Sequence, residues 1–256
     1  MNKKIILAIC VVISIIIIIV AICNNTDSNE KTYLYEENGL FGLENDEGKK
    51  VTEAKYNKII KIDNVDNMYI VNINSKYGLI NSSGKEVIEV EYDNIVSDEY
   101  NYDYSKIGYI LSQKTKEGYK FGYANDKGKI ILDCEYEEVR RVSEYNGEDI
   151  YLILKENGRY GILKNNKFVV DLKYQDIFYN DSVDRFIVEK NGKYGVLDRD
   201  GKEIIKPEYT MFGIDEEGIF FLDNNKTIYE YLTDGIDEVN NGLLFTVLDK
   251  FNISYE

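Results

Sequence analysis

The chain has 256 residues, a formal net charge of −15, 23 tyrosines, one proline, and neither histidine nor tryptophan. Without histidine, Ser-His-Asp and Cys-His catalysis are excluded, along with the commonest zinc sites and the usual proton carrier near neutral pH. An acidic balance with no basic tract argues against nucleic acid as a partner, and against binding anionic lipid through phosphate neutralisation.

The first element is apolar. After Met1-Asn2-Lys3-Lys4, residues Ile5 to Cys23 are interrupted only by Ser14. About 20 such residues cross a hydrocarbon core of roughly 30 Å as a helix, the one form in which a lone segment satisfies its own backbone in lipid. Residues 1–23 are therefore expected to anchor the chain in a membrane, with 24–32 a polar linker and 33–256 the folded domain. Lys3 and Lys4 place the N-terminus in the cytoplasm and the rest outside, as a single-pass protein of the cell membrane. Two alternatives compete with the uncleaved anchor. Cys23 sits where a lipoprotein would accept its lipid, and a cleaved signal would give a secreted protein. Ile22, bulky where a small residue is needed, fits neither well.

From residue 33 onward an aromatic-Gly pair recurs at Phe41-Gly42, Tyr77-Gly78, Phe121-Gly122, Tyr160-Gly161 and Tyr194-Gly195, at spacings of 36, 44, 39 and 34. Two apolar or nearly apolar residues follow each pair. Then comes a polar turn such as Asn81-Ser82-Ser83-Gly84 or Asp198-Arg199-Asp200-Gly201, and a Lys after the Gly. An apolar stretch ends at a tyrosine fifteen residues beyond the first aromatic: Tyr56, Tyr92, Tyr136 and Tyr209. In the fourth copy the turn is one residue shorter, and Tyr174 falls after fourteen. Three residues further stands Ile59, Ile95, Val139, Ile177 or Phe212. Five copies in register define a repeat of 34–44 residues.

The chemistry of the repeat is that of strands. Tyr69-Ile70-Val71-Asn72-Ile73 and Phe186-Ile187-Val188-Glu189 alternate. Asn38-Gly39, Asn157-Gly158 and Asn191-Gly192 precede aromatic-Gly pairs, and Asn-Gly between apolar runs marks a two-residue hairpin turn with positive φ at both residues. Each copy thus reads as strand, Asn-Gly turn, strand beginning at aromatic-Gly, Gly turn, and strand ending at Tyr, with room for a short fourth strand. Residues 218–240 echo the pattern as a degenerate sixth copy, and Gly242–Val247 reads as one more strand covering an edge.

Aromatic-Gly, Asn/Asp-x-x-Gly-Lys and the closing Tyr-x-x-Ile together resemble the WG repeat family of bacteria, over about residues 33–212. Phe or Tyr stands wherever that family has its Trp. The resemblance implies exported or surface proteins in many cases and brings no catalytic residues with it. Repeat length and strand number fit an all-β domain in a propeller-like arrangement, with an open β-solenoid arc as the alternative.

No catalytic, cofactor-binding or metal site is expected. Carboxylates are numerous, but none forms a pair set apart from the turns, and the Asp198–Gly201 and Asn125–Gly128 turns lack the further oxygen ligands of a calcium loop. Cys134 falls at a small apolar position of the repeat. Tyr100, Tyr102 and Tyr104 stand outside the repeat, in the insertion behind the spacing of 44, and exposed tyrosines suit contact with protein or glycan. The expected function is a non-catalytic protein-binding or scaffold module held at the membrane. A binder of envelope carbohydrate or polymer is the alternative, and a glycan-active enzyme the least supported.

Overall fold

In a computed structural model, the described residues are 31–62, 67–98, 108–142, 151–181, 183–214, 219–223, 228–232 and 235–238. The N-terminal apolar run, the Tyr100–Tyr104 insertion and Gly242–Val247 lie outside them. Among the described residues every regular element is a β-strand. The chain divides into two compact units between Glu91 and Tyr92.

Six antiparallel sheets follow in chain order. The first pairs β1 (Thr32–Glu37) with β2 (Leu40–Asn45). The second runs β3 (Lys58–Lys61), β4 (Met68–Ile73), β5 (Lys76–Asn81), β6 (Glu86–Tyr92), and the third β7 (Asn94–Ser97), β8 (Tyr109–Thr115), β9 (Gly118–Ala124), β10 (Ile130–Tyr136). The fourth is β11 (Glu138–Val142), β12 (Tyr151–Glu156), β13 (Arg159–Lys164), β14 (Lys167–Tyr174). The fifth is β15 (Asp176–Asn180), β16 (Arg185–Lys190), β17 (Lys193–Leu197), β18 (Glu203–Tyr209). The sixth, the degenerate copy, is β19 (Met211–Ile214), β20 (Ile219–Leu222), β21 (Ile228–Leu232), β22 (Gly235–Glu238). Each four-stranded sheet is a meander in which sequence neighbours pair.

The sheet boundary differs from the repeat boundary suggested by spacing. The apolar residue three places after each closing tyrosine opens the next sheet, with Ile59 opposite Val71, Ile95 opposite Leu111, Val139 opposite Leu154 and Ile177 opposite Val188. Every closing tyrosine therefore stands at the link from the last strand of one sheet to the first of the next.

The second strands are also more apolar than half-buried strands need to be, and the core shows why. Tyr151 and Ile153 belong to one buried cluster shared with Phe186 and Val188, while Leu152 and Leu154 belong to another with Tyr123 and Val139. Ile187 turns the other way, toward Phe221. Alternate residues of a middle strand thus enter two cores, one on each face, as expected where a sheet is covered on both sides. In the first unit Leu43, Tyr56, Tyr69, Val71 and Ile80 form the equivalent cluster.

Candidate functional site

The repeat residues account for their own spacing. In three sheets the aromatic lies directly across from the closing tyrosine: Phe121 from Tyr136, Tyr160 from Tyr174, Tyr194 from Tyr209. Phe41 and Tyr56 form the same bridge in the first copy. Between this pair and the next, the last strand carries extra residues. Gly122 faces residues 133–135, and Gly195 faces residues 206–208. A Cβ on either would lie 2.5 Å from the carbonyl oxygen of Leu132 or Ile205. The glycine is required by this close approach of a bulge, not by positive φ. Pro207 and Cys134 sit in the bulged stretch, where proline's missing N–H removes no ladder bond. The aromatics Phe41, Tyr77, Phe121 and Tyr194 are half-buried and Tyr160 is buried, whereas Tyr56, Tyr92, Tyr174 and Tyr209 are buried and Tyr136 is half-buried. Gly42, Gly78 and Gly161 are buried as well.

The other glycines are turn glycines. Asn38-Gly39, Asn157-Gly158 and Asn191-Gly192 have positive φ at both residues, and Asn74-Ser75 and Asn165-Asn166 adopt the same conformation without glycine. In the Gly turns one side-chain oxygen accepts two backbone N–H groups. Asn125 Oδ1 accepts from Lys127 at 3.1 Å and Lys129 at 2.9 Å. Asp198 Oδ1 accepts from Asp200 at 3.0 Å and Lys202 at 2.8 Å. The carboxylate that brushes against a calcium-loop pattern is thus engaged in an Asx-type turn.

One device has no counterpart in the motif read from sequence. The residue after the closing tyrosine is Asn57, Asp93, Glu137 or Gln175. Each carries an oxygen that accepts an N–H from the second hairpin of the following sheet: Asn74 at 2.8 Å, Lys114 at 2.7 Å, Gly158 at 3.3 Å and Asn191 at 2.5 Å. The signal is visible as an acid or amide after each of four tyrosines, but its partner is a turn sixteen to twenty-one residues away.

Each full sheet is therefore polarised. The link between sheets, the aromatic-Gly bulge and the second hairpin crowd one end. At the other end lie the Gly turn and the connection from first to second strand. In the second to fifth sheets that connection varies: residues 62–67, 98–108, 143–150 and 181–184. The second hairpin of the same sheets keeps two residues, as at 74–75, 116–117, 157–158 and 191–192.

The variable end of the third sheet holds a buried polar cluster. Asp98 Oδ2 lies 3.2 Å from Arg141 Nη1, with side chains 5% and 4% exposed. The Tyr123 hydroxyl stands 3.4 Å from the same carboxylate oxygen. Burial holds the Asp98 carboxyl above its ordinary range, outweighing the opposite pull of Arg141 and Tyr123. It raises the Tyr123 phenol too, and pushes Tyr109 up to about 12 with help from Asp126. Tyr100, Tyr102 and Tyr104 belong to the 98–108 connection and are not among the described residues. In the first unit Val51, Thr52, Glu53, Lys55, Tyr56 and Gly84 line an open cleft of about 190 Å³. Lys55 faces Glu86 at 3.8 Å and lies over the Tyr56 ring, so its charge is already matched.

A family model for the WG containing repeat matches residues 77–104, 121–160, 164–194 and 194–226. The chain belongs to the WG-repeat family. The WG-repeat model begins at the second copy, but the Phe41–Tyr56 bridge gives the first copy the same pairing. None of the curated proteins matches the chain. Among solved structures it is similar to a eukaryotic initiation factor, at 9% identity over 84% of this chain and 66% of that one, with a TM-score of 0.42. It is also similar to KlHsv2 with loop 6CD replaced by a Gly-Ser linker (12% identity, 71% and 65%, TM-score 0.35). A third likeness is to Sqt1 of Saccharomyces cerevisiae (9%, 82% and 69%, TM-score 0.32). The chain spans about two thirds of the length of these structures. Likenesses this remote carry no statement about activity or partner.

Proposed function

We propose that this WG-repeat chain is a membrane-anchored, extracytoplasmic, non-catalytic module that binds a protein partner or scaffolds an assembly. Residues 1–23 form the transmembrane helix, and the repeats stand outside in a propeller-like arrangement. The observation that carries the binding reading is the polarity of the sheets. One end is tied down in the second to fifth sheets, while the other carries the length differences in connections of varied size. Rigid frames with variable connections at one end are the usual setting for recognition. The Tyr100–Tyr104 stretch belongs to the longest of these connections, and tyrosine offers large, amphipathic contact area at low entropic cost.

The same tyrosines, with Asp103 among them, also favour a second reading, a binder of envelope carbohydrate or polymer. One experiment separates the two. Intact cells are treated with protease, the membrane-bound fragment is weighed, and the released repeat domain is passed over isolated cell wall. The expected result is digestion from outside, a fragment beginning at Met1, and no retention on cell wall. Retention abolished by changing Tyr100, Tyr102 and Tyr104 to Ala would establish the polymer reading instead. Repeats protected inside intact cells would overturn both. The propeller-like arrangement is tested by small-angle scattering of the repeat domain, where an elongated profile would favour an open arc.

A further inference from the structure

The first sheet repeats the pattern of the others but lacks a neighbour. β1 faces the aromatic-Gly strand β2, so it is the counterpart of the second strands β4, β8, β12 and β16. In those strands the residue just before the one opposite the glycine is also paired on its other side: Ile70 with Ile60, Ile110 with Val96, Ile153 with Arg140, Ile187 with Phe178. Leu34 holds that position in β1, and among the described residues β1 pairs with β2 alone. Leu34 is 51% exposed and Tyr33 50%, whereas Ile70, Ile153 and Ile187 are buried. So are Tyr69, Tyr109, Leu152 and Phe186, which stand where β1 has Tyr33.

The backbone phase shows what the open edge offers. Opposite Leu34 stands Leu43, whose carbonyl accepts from the Val51 and Thr52 N–H groups at 2.7 and 3.1 Å. Opposite Glu36 stands Phe41, which exchanges both of its backbone groups with Tyr56. Leu43 and Phe41 thus turn away from β1, so Leu34 and Glu36 turn their own N–H and C=O to the open edge, with Thr32 in the same phase. A two-stranded sheet is marginal alone, and such an edge is a template for another strand.

The sequence of β1 fits itself. Laid antiparallel on a second copy about a two-fold axis at Leu34, the outward groups of Leu34 meet those of the other Leu34, and Thr32 meets Glu36. At the alternate positions Tyr33 lies opposite Tyr35, and the exposed Lys31 opposite Glu37. Aromatic and opposite-charge pairs in these places stabilise a ladder. Glu37 already takes Lys50 at 2.6 Å, and a carboxylate has room for a second cation. A shift of two residues one way sets Glu30 against Glu36, and the other way sets Leu34 against Glu36 and Lys31 against Gly39. A shift of one sets outward groups against inward ones.

We propose that the open edge of β1 is a homodimerisation surface, on which a second copy of this chain joins β1 to β1 in the Leu34-centred register. The product is a four-stranded sheet, β2-β1-β1-β2, with as many strands as each of the other five. The second copy is the occupant because the contact is isologous: the strand that offers the free groups also supplies their complement, and Lys31 meets Glu37 twice. The surface belongs to the first unit and uses none of the variable connections, so it stands or falls apart from the binding reading.

The full chain in density-matched detergent micelles is sedimented at about 0.15 M salt, which screens long-range repulsion between acidic chains. Over roughly 1–100 µM the wild type should pass from the chain mass of 29.7 kDa to twice that value. Leu34→Pro removes the central outward N–H and no ladder bond to β2, and Leu34→Lys places a charge on the edge. Each should leave the circular dichroism unchanged and weaken dimerisation at least tenfold. Lys31→Glu and Glu37→Lys should each weaken it by about fivefold, and the two together should recover most of the loss. A monomeric wild type would overturn the proposal and leave the edge to a segment of the same chain or of another protein. A dimer indifferent to both Leu34 variants would overturn it as well, because the contact would then lie elsewhere, the apolar Ile5–Cys23 run included. A double charge variant no better than the single ones would overturn the register.

Discussion

The two ends of each full sheet solve different problems with the same backbone. At the end holding the link between sheets, the closing tyrosine, the aromatic opposite it, the glycine under the bulge and the side-chain oxygen reaching the hairpin are repeated almost without change. At the other end, the first-to-second-strand connection runs from four residues at 181–184 to eleven at 98–108. The difference teaches where the repeat stores its information. Spacing is fixed where backbones touch, and length is free where they do not.

The largest effect should come from the closing tyrosine. Tyr174 is 1% exposed and packs in the cluster with Tyr151 and Phe186, so Tyr174→Ala should cost about 4 kcal/mol in denaturant unfolding. A loss under about 1 kcal/mol would mean that the invariant end is not where stability lies. Gly195→Ala sharpens the point. Its Cβ would meet the Ile205 carbonyl oxygen at 2.5 Å, and the strand shift needed to relieve it should cost about 3 kcal/mol. Gly192, three residues earlier, has φ of +69° and nothing within 4 Å of where a Cβ would stand. Gly192→Ala should therefore cost only about 1 kcal/mol. An equal loss at both glycines would erase the distinction between bulge and turn.

At the variable end, Asp98 gives a test of sign. Its folded carboxyl titrates above the ordinary 3.8 because burial outweighs Arg141. A group with a raised folded pKa contributes stability below its unfolded pKa, and that contribution is lost as pH rises through the folded value. Wild type minus Asp98→Asn, followed in urea from below pH 3.8 upward, should therefore fall with rising pH. A rising difference would mean that the ion pair outweighs desolvation. The smallest effect is expected for Tyr100, Tyr102 and Tyr104 changed together to Ala: as residues outside the repeat motif, a stability change under about 0.5 kcal/mol by thermal unfolding. A larger loss would make them part of the frame.

How much of this was legible follows from the same contrast. The strands, the Asn-Gly turns and the Gly turns could be read because each is governed by residues close in sequence, as at Asn38-Gly39 and Asp198–Gly201. The aromatic and tyrosine spacing was visible as a number, but its cause, direct pairing across a bulge, emerges only when the last strand is laid against Gly122 or Gly195. The assignment of Ile95 or Val139 to the following sheet was hidden for a similar reason. A first strand of four or five residues shows no periodicity of its own, and its partner lies across a connection of variable length. The Asp98–Arg141 contact, forty-three residues apart, has no local trace at all. The acids and amides after the tyrosines, by contrast, could have been found by aligning the copies one column further.

The most direct test compares the two ends of a single sheet in living cells. A photo-cross-linking residue is placed at Tyr102, in the long connection of the third sheet, or at Tyr119, 54% exposed beside that sheet's two-residue hairpin. A binding surface at the variable end predicts a specific adduct from position 102 and none from position 119. Adducts from 119 with none from 102 would contradict it, and would move the binding surface to the end that the repeat holds constant.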